Sequence, residues 1–89
     1  MNFEWDAKKA ASNLRKHGVT FLEAVEVFND DLASTVRDPD NSASEFRYLT
    51  FGVSSASRYL VVSYTEQGNA IRIISARTIT PRERKAYEA

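Results

Sequence analysis

Apolar residues recur along this chain at two different periods, and the switches between them mark its elements. Phe3-Glu4-Trp5 alternates apolar, polar, apolar, the pattern of a short strand. From Ala7 the period lengthens. Ala7, Ala10, Ala11 and Leu14 recur on one helical face, predicting a helix over 7–17 capped by Asp6 and stopped at Gly18. Lys16 and His17 then fall in its last turn, where unpaired carbonyls favour cations. Thr20 and Glu23 have the spacing of a capping box, opening a second helix of about residues 21–29. Its inward face is Phe21, Ala24, Val25 and Phe28, and Asn29-Asp30-Asp31 ends it.

Period two then returns. Residues 32–37, 46–53, 58–65 and 70–77 read as strands, and Gln67-Gly68-Asn69 turns the last two into an antiparallel hairpin. The acidic, turn-prone stretch 38–45 reads as a solvated loop. Thr80-Pro81-Arg82-Glu83 combines a cap, a helix-opening proline and another capping box, so a short helix runs to the C-terminus. The order β-α-α-β-β-β-β-α, without linker or repeat, predicts a single α+β domain over 1–89. It has a small, mainly antiparallel sheet, two N-terminal helices on one face and a short C-terminal helix.

Composition narrows the chemistry. A chain of 89 residues has a thin core, so its site is expected to be shallow. With no cysteine, one histidine and no calcium-loop spacing of carboxylates, neither a metal nor a cofactor is expected. No apolar run reaches membrane-spanning length and no signal segment opens the chain, so a cytoplasmic location is expected. The zero net charge hides an asymmetry. Residues 1–45 carry five cations and nine acids; residues 46–89 carry seven cations, six of them arginine, and three acids. Arginine forks match phosphate oxygens, so the second half is suited to phosphate contact, although uneven charge arises by chance about as readily.

Lys9, Asn13 and Lys16 stand at i, i+4 and i+7 of the first predicted helix, and His17 continues the stripe, which could hold a phosphodiester backbone. For a lone helix, the ordinary solvated face of an amphipathic helix is the stronger reading. His17 could carry a proton near neutral pH or interact with the helix end, and the two roles weigh equally. Trp5 reads first as core and Asp6 as a cap. In Ile71-Arg72-Ile73-Ile74-Ser75-Ala76-Arg77, strict alternation puts Arg72 and Arg77 on opposite faces. They cannot flank one site unless a bulge or the strand end re-aims one; otherwise one belongs to the site and the other holds a carboxylate. Arg84 and Tyr87 share a face of the last helix. Such residues suit RNA cleavage by the substrate's own 2′-hydroxyl, which needs a proton acceptor, cations over the phosphate and a proton donor.

The run Phe3-x-Trp5-Asp6-x-x-Lys9-x-x-x-Asn13-x-x-Lys16-His17-Gly18-Val19-x-Phe21-x-Glu23-Ala24 resembles the opening of the BrnT family of ribonuclease toxins. Glu45-x-Arg47, Val61-Val62-x-Tyr64-Thr65, Arg72-Ile73-Ile74-Ser75-Ala76-Arg77 and Glu83-Arg84-x-x-Tyr87 continue the likeness in order. The resemblance implies a RelE-like fold and metal-independent RNA cleavage that halts translation and growth. It also implies a ribbon-helix-helix, BrnA-like antitoxin, through which the pair would bind its operator DNA. By position it implies Arg77, Arg72, His17, Lys9 and Tyr87 as catalytic candidates. Arg84, with Lys16 and Asn13 from the helical stripe, would bind substrate. Two other functions fit the same fold: a non-catalytic antitoxin-binding module, and a RelE-like poison of another target such as gyrase.

Overall fold

The computed structural model describes residues 2–38 and 46–88, with side chains in the last helix as far as Ala86. The elements are β1 (Asn2–Glu4), α1 (Ala7–His17), α2 (Phe21–Val25) continuing as a 3-10 turn (Glu26–Asn29), β2 (Ser34–Arg37), β3 (Arg47–Val53), β4 (Tyr59–Gln67), β5 (Ala70–Thr78) and α3 (Pro81–Glu88). Together they form an α+β fold around a five-stranded sheet of order β1-β5-β4-β3-β2. All neighbours are antiparallel except β1, which runs parallel beside β5. No helix among the described residues is long and apolar enough to cross a membrane.

Strand alternation decides which sheet face is buried. Leu60, Val62 and Tyr64 of β4 and Ile71, Ile73 and Ala76 of β5 face the helical layer, meeting Val19, Phe21, Ala24 and Val27. Trp5 packs against this core as expected, edge-on to Phe21 at 5.8 Å. Gly52 of β3 admits the 3-10 turn: a Cβ there would lie 3.1 Å from the Val27 Cβ. Continuing α2 as a tighter turn brings Val27 into the core, an inward residue that the helical spacing did not include.

The first helix is rotated from its predicted orientation. Ala7, Ala11 and Leu14 are exposed, whereas Asn13 is buried and Ala10 half-buried. The cause is polar. β1 pairs only with Ala70 to Arg72, so the outer edge of β5 beyond that point lacks a strand partner. The Asn13 amide replaces one: its Nδ2 donates to the Ala76 carbonyl at 2.8 Å, and its Oδ1 accepts the Ala76 N–H at 3.1 Å. Nδ2 also donates to the Val19 carbonyl at 3.0 Å, fixing the chain just past the helix end. Gly18 ends α1 as predicted, in the left-handed conformation at φ 68°, with its N–H on the Leu14 carbonyl.

Smaller departures have similar causes. β2 begins at Ser34 rather than residue 32 because Asp30 Oδ1 accepts the Leu32 N–H and turns the chain. Thr20 caps α2 through its hydroxyl, while the Glu23 carboxylate pairs with Arg58 and accepts the Ser54 hydroxyl at 2.7 Å. Arg58 holds Glu23 below the usual carboxylate range, with Ser54 assisting against the opposing effect of burial. The hairpin needs only Gly68 and Asn69 as its turn, so β4 extends to Gln67. Asp38, expected in a solvated loop, is buried and donates its N–H to the Arg47 carbonyl. The rest of that loop, 39–45, lies outside the described residues.

Candidate functional site

The two arginines of β5 come onto one face through a bulge. Val61 opposes Arg77 and Ser63 opposes Ser75, but Tyr64 opposes Ile73 and Thr65 opposes Arg72, leaving Ile74 as the extra residue. Residues 61, 63 and 65 share the sheet face away from the helical layer. Arg77, Ser75 and Arg72 therefore share it too. Simple alternation would have separated the two arginines.

Each arginine also holds a carboxylate, a pairing that the sequence allowed for only one of them. Arg77 makes a two-pronged contact with Glu83 of α3, Nη1 to Oε1 at 2.8 Å and Nη2 to Oε2 at 2.9 Å. The same Glu83 completes the predicted capping box, accepting the Thr80 N–H at 2.9 Å while its own N–H donates to the Thr80 hydroxyl. Arg77, with smaller help from Thr80 and against burial, holds the Glu83 carboxyl down to about 2, and Glu83 raises Arg77 in return. Arg72 meets Glu4 of β1 more loosely, at 3.5 Å. Both arginine side chains keep about two-fifths of their surface exposed, 41% for Arg77 and 37% for Arg72, so solvent reaches them.

Helix α1 supplies the neighbouring wall. Lys9, Lys16 and His17 are exposed and line a groove of about 190 Å³ with Ser12, Asn13, Ile74 and Ser75. The helix thus delivers both lysines and the imidazole to the bulged segment between Arg72 and Arg77. Asn13 reaches the same groove but is 5% exposed, with its amide used on backbone groups. It departs from the expected solvent-facing stripe because it sets that stripe's position. At the other end, α3 lies by the open face, where Arg84 stacks on the Tyr59 ring at 4.0 Å. The Tyr87 side chain lies outside the described residues. Ser75, its hydroxyl set among these cations, was not singled out from sequence, because no pattern of apolar residues announces a bulge.

This surface is therefore a shallow, solvent-accessible collection of cations around a hydroxyl-bearing strand. Among the described residues, no three His, Asp or Glu side chains gather in a way that could hold a metal ion. A family model described as "Ribonuclease toxin, BrnT, of type II toxin-antitoxin system" matches residues 5–83. The crystal structure of the Brucella abortus ribonuclease toxin, BrnT, is similar with a TM-score of 0.69 and 26% identity, over 90% of this chain and 97% of that one. No curated protein matches the chain by sequence.

Proposed function

The chain belongs to the BrnT family of ribonuclease toxins of type II toxin–antitoxin systems, and from that membership we propose a metal-independent mechanism centred on the bulged strand β5. The substrate's 2′-oxygen attacks the adjacent phosphorus while its proton passes to a base. The bond from phosphorus to the 5′-oxygen breaks, and that oxygen takes up a proton. The products are a 2′,3′-cyclic phosphate and a 5′-hydroxyl. Arg77 and Arg72 stabilise charge on the phosphoryl oxygens, the contribution that is usually largest in such reactions. His17, Lys9 or Tyr87 moves the protons, Lys16 and Arg84 hold the RNA backbone, and Asn13 keeps α1 against β5.

The observation that carries this reading is the shared face of Arg72, Ser75 and Arg77 beside the Lys9–Lys16–His17 groove. Family membership supports RNA as substrate and an antitoxin as partner. The ribbon-helix-helix character of that antitoxin, operator binding through it, the RelE-like relationship of the fold, the single-domain extent of 1–89 and the cytoplasmic location belong to the same proposal.

The test is purified protein with end-labelled naked RNA in EDTA, with Arg77→Ala alongside. Cleavage by the wild type is expected, with a loss of roughly 100-fold or more in the variant, as for removal of a transition-state charge donor. A folded Arg77→Ala that cuts at the wild-type rate removes Arg77 from the chemistry. Absence of cleavage that is restored only by added metal overturns the mechanism.

A further inference from the structure

The open sheet face carries a third arginine outside the site proposed above. Arg47 on β3 opposes Thr65, and Thr65 opposes Arg72, so all three stand in one row across the face. We infer that Arg47 is a phosphate anchor remote from the cut, holding a single-stranded RNA that crosses the sheet from β5 to β3. This inference rests on the ribonuclease reading and extends the substrate's path beyond the reacting phosphate.

Geometry favours a path rather than an isolated charge. With neighbouring strands about 4.8 Å apart, the Arg47 and Arg72 backbones stand about 10 Å apart. Arg77 lies about 13 Å farther along β5, at about 3.3 Å for each of the four β4 residues from Thr65 to Val61. Between these cations the next row is Leu49, Ser63 and Ser75, whose two serines leave a low floor. Long cationic side chains around a floor of small hydroxyls and apolar Leu49 suit a splayed strand, with phosphates on arginine and base faces on the apolar surface. A duplex turns its base faces inward and would offer this floor only its backbone.

The test measures binding of a single-stranded RNA carrying 2′-methoxy groups, which cannot be cut by 2′-oxygen attack. Affinity is followed over a series of salt concentrations for wild type, Arg47→Gln and Arg47→Lys. The wild type should bind with a steep salt dependence. Losing one phosphate contact in Arg47→Gln should flatten the slope of log affinity against log salt by about 0.7. Affinity should fall roughly tenfold, the scale of one charge-assisted hydrogen bond. Arg47→Lys keeps the charge and should keep the slope, a separation that general loss of stability does not produce. Folded Arg47→Gln with the wild-type slope and affinity overturns the anchor alone. Arg47→Lys as flat as Arg47→Gln does the same, and if Arg47→Gln fails to fold, Arg47→Met, which keeps an apolar stem without the charge, takes its place in the comparison. A wild-type chain that binds no RNA at any salt overturns the ribonuclease reading and the anchor together.

Discussion

At the scale of single residues, Asn13 shows how one side chain can be legible in type and misleading in role. Its spacing from Lys9 and Lys16 puts it on their stripe, and that spacing is real. Its environment is set by the edge of β5, 63 residues away in sequence, which no helical period contains. Removing the amide leaves the Ala76 N–H and carbonyl without partners in a buried setting. Asn13→Ala should therefore cost roughly 2–4 kcal/mol, read by urea denaturation, since each unmet buried group costs about 1–3 kcal/mol. Lys16→Ala, on an exposed position of the same helix, should leave stability within about 0.5 kcal/mol and lower RNA affinity. If the two variants melt alike, the Asn13 bridge is not what holds α1. Gly52 makes a second case: its close approach to Val27 predicts that Gly52→Ala costs roughly 1–3 kcal/mol through overpacking.

At the scale of elements, the strands, helices and caps followed from periodicity because their causes are local. Thr80 and Glu83, three residues apart, do form a capping box, and Gly18 does end α1. The bulge was not legible, since Ile71-Arg72-Ile73-Ile74 fits both regular and interrupted alternation, and only pairing with β4 chooses between them. Helix α3 depends on a contact with a clear pH signature. The Glu83 carboxyl titrates near 4.5 in an unfolded chain but is held down to about 2 by Arg77 and the cap. A depressed carboxyl stabilises the fold above its unfolded value and loses that contribution as pH falls toward the folded one. Stability from this latch should therefore be complete above pH 4.5 and decline toward pH 2. Because Arg77 is 41% exposed, solvent screening reduces its worth to about 1 kcal/mol. Glu83→Gln should lower stability by that amount at neutral pH and flatten this part of the pH profile, both measurable by thermal melts. An unchanged acid limb in the variant would assign the pH dependence elsewhere.

At the scale of the whole molecule, opposite charges are segregated and then interleaved by folding. The acidic first half supplies Glu4 to Arg72 and Glu23 to Arg58, while the arginine-rich second half supplies the open sheet face. Composition announced that asymmetry but not which arginines it would commit to structure; Arg58 is one, donating both to Glu23 and to the Gly18 carbonyl. The assembled surface also has an order of manufacture. Lys9 and His17 are made early, whereas their neighbours Ile74 and Ser75, with Arg77 just beyond, come from the end of β5. During synthesis the first helix must wait for the edge that its asparagine closes. A growing chain therefore carries half a site until its last quarter clears the ribosome, and a message broken before that point encodes a product without the grouped cations.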